Sequence, residues 1–254
     1  MSIMSEKIVV ITGATGGIGS ALAHWVIEHG GRVAVSGSDT QKVSDLVREL
    51  GEHACGLSVD VSNEADNQAL VDLAESTFGR VDGAFLNAGI EGRVAPFNDQ
   101  SDDDWERVFN VNFHGVRLGA KAVIPALKRA GGGSIVMTSS VAGVRGAPGL
   151  SPYVASKHAL IGLMRSLAAE YGKEAIRINT LNPGPVDNRM MRSIEEQSNP
   201  GQAEIVKQAF TTRIPLGRYV NNQECAAMAG FLLSDQASGV TGNTFMVDGG
   251  YCAG

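Results

Sequence analysis

Short β-branched runs alternate along the chain with longer stretches whose apolar residues recur at helical spacing. Lys7–Thr12 reads K-I-V-V-I-T, the near-continuous apolar run of a strand covered on both faces. Ile18–Gly30 follows with Ile18, Leu22, Trp25 and Val26 on one helical face and Gly30-Gly31 as its stop. The same alternation predicts strands at Arg32–Ser36, Ala54–Val59, Val81–Leu86, Ser134–Ser139, Ile176–Asn182 and Thr244–Val247. Helices are predicted at Thr40–Leu50, Asn63–Phe78, Pro152–Tyr171 and Val220–Leu233. Ser101–Arg129 reads as one long helical region opened by a Ser-x-x-Asp capping pattern, Ser101 to Asp104. Strands separated by helices of this length predict βαβ units, hence an α/β fold: a doubly wound, mainly parallel seven-stranded sheet of Rossmann type with helices on both faces.

No linker, repeat or low-complexity block divides residues 1–254, so one domain is expected. The exception to the alternation is 187–216, which is polar, rich in methionine and arginine, and interrupted by Pro200-Gly201. A long excursion after a strand fits a substrate lid; a plain surface helical hairpin fits the same composition.

The net charge of −6 gives no electrostatic footprint for nucleic acid and no basic membrane-binding segment. No apolar run approaches the roughly 18 residues needed to span a bilayer, and the opening residues lack a signal pattern. Cys55, Cys225 and Cys252 are far apart and outside any C-x-x-C, which suggests neither a metal site nor a disulfide framework. They read as reduced thiols of a cytoplasmic protein.

Two patterns carry chemistry. Thr12–Gly19 (T-G-A-T-G-G-I-G) joins the first predicted strand to the first helix. Glycines 13, 17 and 19 permit a tight turn and the approach of a pyrophosphate to backbone amides at a helix N-terminus. Tyr153 and Lys157 stand four apart in S-P-Y-V-A-S-K, on one helix face and about 5–6 Å apart at Cβ. A neighbouring ammonium favours the phenolate, and a tyrosine tuned toward neutrality can exchange a proton with an alcohol oxygen. An i,i+4 pair facing water has the same spacing.

Taken in order, these motifs resemble the short-chain dehydrogenase/reductase family over nearly the whole chain. Thr12–Gly19 looks like the family's T-G-x-x-x-G-x-G cofactor loop, and Leu86–Gly89 (L-N-A-G) like its N-A-G motif. Asp60-Val61 matches the acidic position beside the adenine, and Asn182–Val186 (N-P-G-P-V) the P-G-x-V stretch near the nicotinamide. The resemblance implies a nicotinamide cofactor held by Gly13, Thr15, Gly17, Ile18, Gly19, Ser38, Asp60, Val61, Asn87, Ala88, Gly89, Tyr153, Lys157, Pro183, Gly184 and Val186. It implies a catalytic set of Asn112, Ser140, Tyr153 and Lys157, with Ser139 as a competitor for the serine role. Hydride would pass between the cofactor and a carbonyl or secondary alcohol. Tyr153 would act as general acid/base and Ser140 would bind the substrate oxygen. Lys157 would lower the tyrosine pKa and bind ribose, and Asn112 would complete a water relay. A homotetramer acting on a small ketone or alcohol is implied as well.

Two positions depart from the pattern. Gly37 stands where NAD-preferring relatives carry an acid, while Ser38 and Gly16 supply no cation for a 2′-phosphate. This leans toward NADP over NAD, with Asp39 as an alternative ribose ligand. Asn188 stands where threonine is common. Ala169 in S-L-A-A-E, where acyl-carrier-protein reductases often carry a basic residue, weighs against a 3-oxoacyl-thioester reductase. A non-catalytic nucleotide sensor on the same fold is the remaining alternative.

Overall fold

A computed structural model describes residues 2–253. Its strands are β1 (Ile8–Thr12), β2 (Arg32–Gly37), β3 (Ala54–Ser58), β4 (Gly83–Leu86), β5 (Gly133–Thr138), β6 (Ile176–Pro183) and β7 (Thr244–Val247). They form one seven-stranded sheet in the order β3-β2-β1-β4-β5-β6-β7. Every ladder is parallel, so the sheet is fully rather than mainly parallel. Parallel pairing needs crossovers, and the helices that make them cover both faces. One apolar layer gathers Leu70, Val123, Leu127, Leu160 and Met164 on one face of the sheet. The other gathers Leu22, Val26, Leu46, Ala229 and Leu232 on the opposite face.

The helices are α1 (Gly17–Glu28), α2 (Thr40–Leu50), α3 (Glu64–Phe78), α4 (Asp102–Phe109), α5 (Val116–Ala130), α6 (Ser151–Tyr171), α7 (Arg189–Ser198), α8 (Ala203–Thr212) and α9 (Asn222–Leu233). The Ser101 cap acts as expected, closing a reciprocal capping box with Asp104. The single helix expected over Ser101–Arg129 is instead broken by a π-helical turn at Asn110–Gly115. Such a turn inserts a residue into the helical repeat and is frequent at functional sites. Here it lets the Asn112 side chain reach the 89–95 loop.

Strand order reverses between β1 and β4, and ligands of open α/β sheets bind beyond the strand C-termini at such a switch point. The β1 end carries the glycine loop, the β4 end carries Asn87–Gly89, and β5 and β6 end at Ser139-Ser140 and Pro183. Residues 187–216 fold into α7 and α8, packed on one another across Pro200-Gly201, where Gly201 adopts φ 73°.

Candidate active site

The strand ends open into one cleft of about 1060 Å³. Of the residues expected at the site, all but Gly19 and Asn112 line it. Those two act from behind the wall. Gly19 is buried, and a Cβ there would collide with the Gly13 carbonyl, so it permits α1 to pack on the loop. Asn112 is fully buried. Its Oδ1 accepts Ile90 N at 2.8 Å, and its Nδ2 donates to Ile90 O at 2.9 Å and to Ser156 Oγ at 3.3 Å. Ser156 in turn donates to Tyr153 O at 2.7 Å, so the π-turn is tied to the helix that carries the tyrosine.

The glycine loop suits an anion. Gly13 has φ 64°, and a Cβ on it would lie 2.8 Å from Ala88 Cα. Helix α1 begins at Gly17, with Gly16 as an N-cap that has no capping side chain, and carries no acid in its first turn. Its leading amides therefore face the cleft unsatisfied, the arrangement that binds phosphate groups. Asn87 fixes the loop, donating to Gly13 O at 3.2 Å and accepting Thr138 Oγ1 at 3.1 Å, which links the ends of β1, β4 and β5. These features fit the dinucleotide that the fingerprint implies.

Tyr153 and Lys157 lie on the buried face of α6 with Ser156, Leu160 and Met164. Lys157 Nζ donates to Thr138 O at 2.8 Å and lies 5.5 Å from the centre of the Tyr153 ring. Burial depresses the lysine to about 7, because an ammonium loses hydration there. Burial also pushes the Tyr153 hydroxyl up; a hydrogen bond with Ser140 opposes this and the Glu91 charge reinforces it. Desolvation thus outweighs the lysine's expected pull toward phenolate.

The two serines separate clearly. Ser139 Oγ donates to Lys157 O at 2.9 Å and belongs to the α6 backbone. Ser140 Oγ accepts Ala142 N at 3.1 Å and faces Tyr153. Asp60 turns onto its own loop, accepting Ser62 N at 2.9 Å and Ser62 Oγ at 2.7 Å, which hold its carboxyl below the usual range.

Beyond Tyr153 an apolar group forms part of the cleft wall, with Arg145 and Arg189 also lining the cleft. Ala142, Leu150 and Ile194 pack with the tyrosine, and Val94, Met190 and Met191 complete the group. Helix α7 reaches this chamber because both its ends are tied to the 89–95 loop. Arg189 faces Glu91 at 3.5 Å, and Gln197 Oε1 accepts Val94 N at 3.1 Å. A buried cluster holds its middle: Glu195, with no exposed surface, accepts from Tyr219 Oη and Arg192 Nη1, each at 2.8 Å. Burial first, and then Glu195, pushes the Tyr219 hydroxyl far up.

The sequence reading missed Lys42, which lines the cleft with Ser38. Its position in the first turn of α2, beside the β2 end, was the available signal. Asp39 is committed elsewhere: its side chain caps α2 by accepting Lys42 N at 3.1 Å, and it does not line the cleft.

The family model described as enoyl-(acyl carrier protein) reductase matches residues 13–252. A cyclohexanol dehydrogenase of Acinetobacter sp. (strain SE19) is 39% identical over 250 residues, 97% of this chain and 95% of that protein. The crystal structure of a levodione reductase superimposes with a TM-score of 0.93 at 35% identity, covering 98% of both chains. A 3-ketoacyl-(acyl-carrier-protein) reductase from Brucella melitensis, complexed with NADH, gives 0.88 at 30% identity over 98% of this chain and 99% of that one. The chain belongs to the short-chain dehydrogenase/reductase family and is an oxidoreductase acting on CH–OH and C=O groups.

Proposed function

We propose that this enzyme interconverts small, uncharged alicyclic ketones and secondary alcohols. The observation that carries this reading is the apolar chamber packed around Tyr153 by Leu150, Met190, Met191 and Ile194. An apolar wall favours a hydrocarbon ring by about 25 cal/mol per Å² removed from water and offers nothing to a sugar's hydroxyls. The likeness to a cyclohexanol dehydrogenase supports the same substrate class.

In this reading Ser140 and Tyr153 hydrogen-bond the reacting oxygen. Tyr153 donates its proton in reduction and accepts one in oxidation. Lys157 holds the cofactor's ribose and, once protonated, stabilises the phenolate. Asn112, pinned in the π-turn, supports the relay that returns the proton to solvent. Pro183, Gly184 and Val186 would hold the nicotinamide, which would supply or receive the hydride when bound. The segment 187–216 serves as the lid.

We assign a modest NADP preference. Gly37 provides no carboxylate, Asp39 is occupied as a helix cap, and Ser38 and Lys42 line the ribose end. A cytoplasmic homotetramer is proposed on family resemblance.

The test is a panel of cyclohexanol, cyclohexanone, a sugar alcohol and an acetoacetyl thioester, each with both cofactors. The expected outcome is the highest kcat/KM on the six-membered rings. Faster turnover of the thioester would replace this reading with 3-oxoacyl-thioester reduction, which the likeness to a 3-ketoacyl-(acyl-carrier-protein) reductase favours.

A further inference from the structure

The first turn of α9 lies against the cofactor loop. A Cβ on Gly17 would stand 2.6 Å from Asn222 Oδ1 and 2.7 Å from its Nδ2, so the carboxamide of Asn222 covers the Cα of the residue that opens α1. Asn222 Oδ1 also accepts Asn188 Nδ2 at 3.3 Å. Asn188 is the N-cap of α7, and its own Oδ1 accepts Met190 N at 3.0 Å and Met191 N at 3.4 Å. That cap fixes the Asn188 amide orientation: oxygen toward the helix, nitrogen toward Asn222. The backbone there is paired too, with Asp187 N donating to Val220 O at 2.9 Å and Val220 N to Pro185 O at 3.1 Å.

We infer that Asn222 is a positioning residue that couples occupancy of the glycine loop to closure of α7 through the Asn222–Asn188 amide pair. Asn222 stands outside the cleft wall while Gly17 and Asn188 are both in it, so it acts through its neighbours rather than on the cofactor. It is mounted on a rigid support, since α9 packs closely on α1, with Gly230 admitting the Trp25 ring. A dinucleotide that orders the Gly17 turn holds the Asn222 amide in place. The amide then holds the cap of α7 over the chamber. Two sites that bias one element in this way share a coupling free energy.

This inference rests on 187–216 acting as a lid, and the experiment separates the two. Trypsin cleavage at Arg189, Arg192, Lys207 and Arg213 is timed for the wild type, Asn222→Ala, Asn188→Ser and the double variant. Each is measured without cofactor and with NADP or NAD at ten times its own measured Kd. Serine preserves the α7 cap but does not reach Asn222, so Asn188→Ser removes the link alone. In the wild type, cofactor should slow cleavage at least about fivefold, the lower end of site-to-site coupling. In Asn222→Ala and Asn188→Ser the cofactor should bind but protect much less. The double variant should be no worse than either single one, because the three remove one interaction. Asn222→Ala keeping full protection, or losses that add in the double variant, would overturn the coupling. No protection in the wild type would overturn the lid and the coupling together.

Discussion

Lys157 offers a measurement on the cofactor-free enzyme that needs no substrate. Its ammonium is buried, with Thr138 O as its one hydrogen-bond partner, and burial lowers its pKa from 10.5 to about 7. Between those values the unfolded chain binds more protons than the folded one. Stability therefore rises with pH across this window, and the cost of burying the charge disappears above 10.5. Integrating one proton gives a cost of about 4 kcal/mol at pH 7 and about 2 kcal/mol at pH 9. Lys157→Met keeps most of the packing volume and removes the titration. Urea unfolding of both proteins at pH 7, 8 and 9 isolates the lysine, since all other groups are shared. The stability difference should move in favour of the wild type by about 2 kcal/mol over that range. A difference that stays flat would mean that Lys157 keeps an ordinary pKa. An unrecognised anion that holds the lysine charged would give the same flat result, since both states would then stay protonated across this range.

Three other outcomes are expected. Tyr153→Phe should bind cofactor normally but lose roughly 10²-fold or more in turnover, the scale of a lost general acid–base; wild-type rates in that variant would remove the tyrosine from proton transfer. Tyr219→Phe leaves the Glu195 carboxylate without one of its two donors and should lower stability by about 1–3 kcal/mol, with an unchanged urea midpoint counting against a structural role for the cluster. Gly37→Asp should turn the cofactor ratio toward NAD by roughly tenfold to a hundredfold, about 1.4–2.8 kcal/mol. Because its Cβ would stand 2.5 Å from Thr15 Oγ1, both affinities should fall, and the ratio of the two Kd values is the readout; a wild type that binds NAD tightly and NADP hardly at all would refute the assignment.

The inner strands β1, β5 and β6 were legible as short, β-branched, buried runs, the partly buried edge strands β3 and β7 by their place in the alternation with helices, and the glycine loop because its strand–turn–helix context is local. The π-turn was not legible. One inserted residue leaves the apolar rhythm of Val108, Val116 and Ala120 intact on either side, and only the 89–95 loop shows why the insertion is there. Asn222 and Glu195 were invisible for a different reason. Each matters through a partner distant in sequence, Gly17 and Tyr219, and one chain read in order gives no register between them. Lys42 was overlooked because the reading weighed Ser38 and Gly16 and stopped short of the first turn of α2.

The Tyr153–Lys157 spacing predicted proximity correctly and electrostatics incompletely, and the difference says how the site works at rest. Spacing on a helix fixes which groups are neighbours but not how much water surrounds them. Here burial raises the tyrosine and lowers the lysine, so both shifts disfavour the separated charges of a phenolate–ammonium pair. Thr138 O accepts from Lys157 whether the amine is protonated or neutral, so the side chain keeps its place without holding its charge. A site in this state has its geometry set before its charges are. Phosphates at the α1 N-terminus would favour proton uptake by the lysine, and a charged Lys157 would then pull the tyrosine downward. Under the proposed function, the lysine would thus be a means by which a bound cofactor prepares Tyr153, rather than a fixed charge that keeps the tyrosine ionised beforehand. That order follows from the magnitudes: one neighbouring cation shifts a pKa by about one to three units, while full burial shifts it by up to about three to five.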